Sequence, residues 1–287
     1  MAKIGLVVRA GVQEAISLGK KLVTWAKENN HEILIEEESA KALGLSAPGI
    51  TPSVIATSCD PVVALGGDGT LIGVGRYVTG KPPVMLGVNF GRLGFLTEIA
   101  PNELFGTLKT VMSGTAQFGS RHMLHCSVTR KGKNIFSMQA VNDAVIHKGV
   151  FDKLMEVELS VDNHKVTSIR CDGVIISTPT GSTAYSLSAG GPIVAPTLPV
   201  VLLTPICSHS LTHRPLVLSN ESTLSLTVPK YDGEVALSID GQEGIKIEIG
   251  DIVDIKKSPN SVIFVRSPSQ TYFEILRRKL NWGVTGS

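Results

Sequence analysis

The chain has 287 residues, of which 43% are hydrophobic and only 18% charged. That is room for about two domains with cores of their own, and it excludes a disordered chain or a peptide-sized scaffold. Lys and Arg number 27 against 25 acidic residues, a net charge of +2 with no long run of either sign, which argues against nucleic-acid and acidic-membrane partners.

From the N-terminus, the apolar run from Ile4 to Val8 reads as a strand. Val12, Ala15, Ile16, Gly19, Leu22, Val23 and Ala26 follow at helical spacing, and Asn29 and Asn30 end that helix. The opening apolar run is too short for an export signal or a membrane span, so a cytoplasmic location is expected. Glu32 to Ile35 resumes a strand, and Val62 to Leu65 and Val84 to Val88 add two more, so the first third predicts an α/β unit with a parallel sheet.

Val62 to Leu65 runs into Gly66-Gly67-Asp68-Gly69-Thr70, and Leu71, Val74, Gly75 and Val78 then share a helix face. A glycine turn between strand and helix lets a phosphate approach the backbone. Asp68, the one ionisable side chain of the turn, is either a helix cap or a group aimed at a hydroxyl or a metal. The segment NFGRLGFL, residues 89 to 96, follows the next strand.

A helix is expected from about Pro101 to Met112, after which the pattern becomes β-rich: His122 to Thr129, Met155 to Val161, Val166 to Ile169, Val174 to Ser177 and Leu224 to Val228. Turn signals at Lys131-Gly132, Asp162-Asn163, Asp232-Gly233 and Glu243-Gly244 predict antiparallel hairpins. The domains are therefore an α/β domain over 1–110, a β-rich domain over 111–270, and a tail over 271–287, helix or strand, that returns to the first domain.

Within the β-rich part, Ala140-Val-Asn142-Asp143-Ala-Val-Ile-His147 is a strand-like run broken by two adjacent polar residues: either one reaches a ligand while the other fixes a turn, or both lie at a bulge, or the pair is a plain hairpin turn, the reading the fragment alone favours. Asp172 to Pro192 is unusually rich in Ser and Thr. Its Ser177 to Thr183 stretch reads as a turn offering many hydrogen-bond donors, followed by a short helix with Tyr185 exposed at its start, where a planar base would stack while Asp172 accepts from an amine or a sugar hydroxyl. Neither a P-loop, a kinase signature set nor a GxSxG elbow is present. The pairs His209/His213 and His122/His125 lack the placement of metal ligands. Cys59, Cys126, Cys171 and Cys207 are widely spaced and predict reduced, buried thiols.

Together, LGGDGT (65–70), NFGRLGFL (89–96), VNDAVIH (141–147) and DGVIISTPTGSTAYSLSAGGP (172–192) resemble the NAD kinase family, most closely its bacterial form, in the family's order and over nearly the whole chain. GGDGT alone is shared with diacylglycerol-type lipid kinases, but GRLGFL stands where their characteristic segment is expected. A non-catalytic dinucleotide sensor would have no use for Asp68.

The resemblance implies an N-terminal Rossmann-like α/β domain, a C-terminal β-sandwich, and transfer of the terminal phosphate of ATP to the 2′-hydroxyl of the adenosine ribose of NAD. It further implies Mg²⁺ or another divalent cation with the ATP, and a homodimer or homotetramer. It makes Asp68 the base and Gly66, Gly67, Gly69 and Thr70 the phosphate loop, with Gly69 also beside the substrate. Asn142 and Asp143 would take ribose hydroxyls or the nicotinamide side, with Asp172, Thr183, Ala184, Tyr185 and Ser188 around adenine and ribose. Phe95 would be an apolar wall, Arg170 and Lys153 would lie near phosphates, and Gln242 would approach from the last hairpins.

Overall fold

Val62 to Leu65 is fully buried, as a central parallel strand covered on both faces must be. Around it the chain folds as a computed structural model that describes residues 1–46, 49–91, 94–150, 152–210, 212–267 and 270–282. It separates into two units, 1–120 with 260–287, and 121–259.

The first unit contains β1 (Lys3–Val8), α1 (Gln13–Glu28), β2 (Glu32–Ile35), α2 (Glu37–Leu43), α3 (Pro52–Ser58), β3 (Val62–Leu65), α4 (Asp68–Gly75), β4 (Val84–Val88) and α5 (Leu104–Met112). Its strands are parallel in the order β2-β1-β3-β4. α1 buries Ala15, Leu18, Gly19, Leu22 and Ala26, an apolar stripe at three- and four-residue steps that meets Ile4, Leu6 and Leu65 in one core. α2 and α3, which periodicity did not announce, have seven residues each, too short for a period to register.

The second unit is antiparallel. After β5 (Phe118–Arg130) come β6 (Lys133–Ala140), β7 (Asp143–Lys148), β8 (Met155–Val161), β9 (His164–Cys171), β10 (Gly173–Ser177), the single-turn α6 (Tyr185–Ser188), β11 (Val200–Ile206), β12 (Leu216–Ser219), β13 (Leu224–Thr227), β14 (Val235–Ile239), β15 (Glu243–Ile247) and β16 (Ile252–Val265). One sheet runs β12-β11-β10-β7-β14-β15, and β8, β9, β13 and the start of β16 pair in another. Val157, Ile169, Leu224 and Leu226 from one meet Val174, Ile176, Leu203 and Leu237 from the other in the core of a β-sandwich. The N-terminal α/β domain and the C-terminal sandwich are thus both present. The last residues of β16 return to the first unit, Ile263 and Phe264 pairing in parallel with Val84 and Met85 of β4. There α7 (Tyr272–Lys279) follows, so the tail is a helix, opened by a Thr271/Glu274 capping box.

Two hairpins form where the turn residues predict them, at Lys131-Gly132 and Asp162-Asn163, with both turn residues left-handed in each. Three turn readings are corrected. Glu243 and Gly244 begin β15, and the turn is Asp240-Gly241, both at positive φ. Asp232-Gly233 lies in the longer connection between β13 and β14. Asn142 stands at a corner, where the chain leaves β6, paired with β5, and enters β7, paired with β10 and β14, so there is no hairpin. Cys207 is also a correction, because it is exposed while Cys59, Cys126 and Cys171 are buried. Among the described residues no helix is long and apolar enough to cross a membrane.

Candidate active site

In the first unit β3 ends at the glycine turn, and the Gly66 N–H donates to Val88 O of β4 at 3.0 Å. Asp68 is the first residue of α4, and its carboxylate does not cap that helix. It turns instead to the segment after β4. Oδ2 accepts from the Phe95 N–H at 2.8 Å, and Oδ1 accepts from the N–H groups of Leu96 and Thr97 at 3.1 and 2.9 Å and from the Thr97 hydroxyl at 2.8 Å. Three backbone amides and a hydroxyl therefore hold one carboxylate in one orientation, and the reading of Asp68 as a helix cap is corrected. The segment is itself anchored, Asn89 N–H to Ile99 O at 3.0 Å and Ile99 N–H to Gly87 O at 3.3 Å. A Cβ on Gly94 would collide with both Asp68 Oδ1 and Thr97 Oγ1, so only glycine lets the segment come this close. Phe95 carries the ammonium of Lys279 5.5 Å from its ring centroid. Arg92 and Leu93 of the same motif lie outside the described residues.

In the second unit a cavity of about 620 Å³ opens at the Asn142 corner. The Asp240-Gly241 turn drives the Asp240 carboxylate back onto three successive N–H groups, Val141 and Asp143 at 3.1 Å and Asn142 at 2.7 Å. Asp143 is only 4% exposed, and burial, then the charge of Asp240, push its carboxyl up to about 7. From the other side Thr178 ties the same corner down, its hydroxyl donating to Val141 O at 2.7 Å and its N–H to Asn142 O at 2.8 Å. This overturns the reading of the Ser/Thr segment as a set of donors for a ligand. Ser177, Thr178, Ser182 and Ser186 are fully buried and spend their hydroxyls on Thr178 O, Val141 O, Pro179 O and Thr204 Oγ1 respectively. They are scaffold, and Tyr185, 48% exposed at the start of α6, is what the segment presents.

The cavity gathers Asn142, Asp143, Asp172, Ala184 and Tyr185 from the expected set. Thr183, Ser188, Arg170, Lys153 and Gln242 do not line it. Arg170 is exposed on β9, and Lys153 O accepts from the Tyr231 hydroxyl at 2.8 Å. Sequence reading missed His147, Lys148, Ser238 and Asp240. The signal was alternation: Asp143, Val145 and His147 share one face of β7 and all line the cavity. Lys148 Nζ lies 3.4 Å from Asp172 Oδ1. A larger cavity of about 920 Å³ in the first unit, beside α1, contains none of the expected residues. Among the described residues no three His, Cys, Asp or Glu side chains cluster as metal ligands.

The pH response of this corner has a definite sign. A carboxyl raised from its ordinary value to about 7 binds its proton more tightly folded than unfolded, so its contribution is full below pH 4 and is lost as pH rises through 7. Thermal melts should show the second unit losing on the order of a few kcal/mol between pH 4 and pH 8 from this group. Asp143→Asn should flatten that slope, and an unchanged slope would refute the assignment.

A parallel sheet whose strand end opens into a glycine turn with a fixed carboxylate, and a β-sandwich with an acid-lined pocket, define a nucleotide-handling α/β enzyme. Two family models match the chain, the ATP-NAD kinase N-terminal domain over residues 4–116 and the ATP-NAD kinase C-terminal domain over 141–267. The NAD kinases of Geobacter sulfurreducens and Syntrophotalea carbinolica are 41% and 40% identical to it over 283 residues, 99% of each chain. Among solved structures, yeast NADH kinase complexed with NADH has a TM-score of 0.88 at 25% identity, covering 100% of this chain and 89% of its own. An Archaeoglobus fulgidus NAD kinase in complex with ATP has a TM-score of 0.73 at 25% identity, covering 98% and 97%. The chain belongs to the ATP-NAD kinase family. It is a phosphotransferase that uses ATP to phosphorylate the adenosine ribose 2′-hydroxyl of NAD, giving NADP.

Proposed function

We propose that Asp68 is the base of this transfer. What supports the reading is the fourfold grip on its carboxylate, in which Oδ2 has one partner among the described residues, the Phe95 N–H. As the bond from the 2′-oxygen to the terminal phosphorus forms and the bond to departing ADP breaks, the hydroxyl proton passes to Asp68. Phosphoryl transfer passes through a loose transition state with little bond formation to the nucleophile, so alignment and charge neutralisation carry most of the rate. A rigidly held carboxylate suits that demand. Gly66, Gly67, Gly69 and Thr70 would line the phosphate path, and Phe95 would wall the acceptor.

In the second unit Tyr185 would stack on the adenine, Asp172 would accept from its amine or a sugar hydroxyl, and Asn142 and Asp143 would take the remaining ribose hydroxyls. Near neutral pH Asp143 can donate as well as accept, since its carboxyl sits at about 7. Asp143 lines the cavity with its N–H held by Asp240 Oδ1 at 3.1 Å. Asp68 is the carboxylate of the turn, and a Mg²⁺ carried in with the ATP phosphates would need no more than one or two such protein ligands. When bound, the ion supplies charge neutralisation at the transferred phosphate. The reading extends to a cytoplasmic enzyme working as a homodimer or homotetramer.

Incubation with NAD and ATP·Mg²⁺ should yield NADP whose new phosphomonoester couples to the ribose H2′ by phosphorus NMR. NAD recovered unchanged, or esterified elsewhere, would refute the reading. Tyr185→Ala should weaken NAD binding by about 1–2 kcal/mol in calorimetry, the size of a lost base-aromatic stack. Unaltered affinity would remove Tyr185 from the pocket.

A further inference from the structure

The glycine turn has a neighbour that no motif announces. β1 and β3 pair in parallel with Val8 against Leu65, and the next residue, Arg9, donates its N–H to Leu65 O at 2.9 Å. That register carries Arg9 past the sheet and alongside the turn. Its Cβ lies 2.9 Å from where a Cβ on Gly66 would stand, and its Nη1 lies 3.8 Å from one on Gly67. The side chain is exposed, and no carboxylate among the described residues pairs with it. The stem of Arg9 therefore runs beside Gly66 and its guanidinium beside Gly67, neither of which has a side chain of its own. Asp68 is turned away from it into the amides of residues 95–97.

A guanidinium that pairs with no carboxylate among the described residues and stands beside glycines is open to an anion. Its planar fork of donors matches two oxygens of one phosphate, and its charge persists at any physiological pH. The transferred group carries its charge on peripheral oxygens in a loose transition state, so a cation there is worth most at the moment of transfer. We propose that Arg9 contacts the phosphates of the donor nucleoside triphosphate and neutralises charge on the phosphoryl group as it leaves ADP. The proposal rests on the reading of Gly66 to Thr70 as the donor-phosphate turn, and gives that turn a cation from a different strand.

The test uses the full chain with Arg9→Met, which keeps the stem and removes the charge, and Arg9→Lys, which keeps the charge and loses the fork. Both substitutions are at an exposed position, so thermal melting should stay within about 2 °C of wild type, the range of ordinary surface changes. In Arg9→Met, kcat/KM for ATP should fall about 100-fold, much of it in kcat, with NAD affinity by calorimetry unchanged. Arg9→Lys should recover part of the loss. Inorganic tripolyphosphate, titrated without NAD, should bind Arg9→Met about tenfold more weakly than wild type, a readout independent of turnover. Equal tripolyphosphate affinity and equal kcat/KM for ATP would make Arg9 an ordinary solvated surface residue and overturn the proposal. So would a parallel loss of NAD affinity. A wild-type protein that forms no NADP at all would instead sink the phosphotransfer reading, so the two failures are told apart.

Discussion

Replacing Asp68 by Asn is expected to lower turnover about a thousandfold while NAD affinity stays within about a factor of two. The two effects should separate, because on the proposed reading the carboxylate acts in the chemical step while the cavity proposed for NAD is lined by residues of the other unit. The same substitution should also destabilise the first unit by roughly 1–3 kcal/mol. Oδ1 serves three donors and Oδ2 one, and an amide has a single acceptor oxygen. With that oxygen in the Oδ1 position, the Asn NH₂ faces the Phe95 N–H, donor against donor. Steady-state kinetics with a matched thermal melt measure both effects. Undiminished turnover would end the base assignment, and unaltered stability would show that the four bonds count for little.

Gly94→Ala is expected to cost about 100-fold in turnover with Asp68 still in place. The added methyl would occupy the space of Asp68 Oδ1 and Thr97 Oγ1, so either the segment backs away and lets the carboxylate swing, or Asp68 is pushed out of its amides. Misplacing a reacting group by about 1 Å is enough for a loss of that size. This variant asks whether placement, and not mere presence, of the carboxylate matters. Circular dichroism should be unaltered and NAD affinity retained. Full activity in Gly94→Ala would show that the amides of residues 95–97 are not what aims Asp68.

Much of the fold was legible because its signals are local. A four-residue apolar run ending in glycines can be read without knowing its neighbours, and so can a helix whose buried face recurs every three or four residues. The Lys131-Gly132 and Asp162-Asn163 turns were legible because left-handed backbone selects Gly, Asn and Asp wherever it occurs. The Asn142 corner was misread as a hairpin for the converse reason. Polar residues between two apolar runs look alike whether the runs pair with each other or with strands elsewhere, and β7 takes its partners from β10 and β14. The Ser/Thr segment was misread because a hydroxyl has the same chemistry facing solvent or facing a buried carbonyl, and burial is not written in the residue type.

Taken by itself, the amino-acid sequence determined the two domain classes, the glycine turn with its one carboxylate, and membership of a family. All of these are expressed over a few adjacent residues or as an order of motifs. The tertiary structure alone decided what holds and surrounds that chemistry. Asp68 finds its donors 27 to 29 residues away, and the Asp240 carboxylate reaches the Asn142 corner from 97 to 99 residues away. Arg9 comes beside Gly66 and Gly67 through the register of β1 on β3. The physical reason is that backbone preferences act within a few residues. Which side chain meets which amide depends on strand order and register, and these are set by the burial of the whole apolar surface at once.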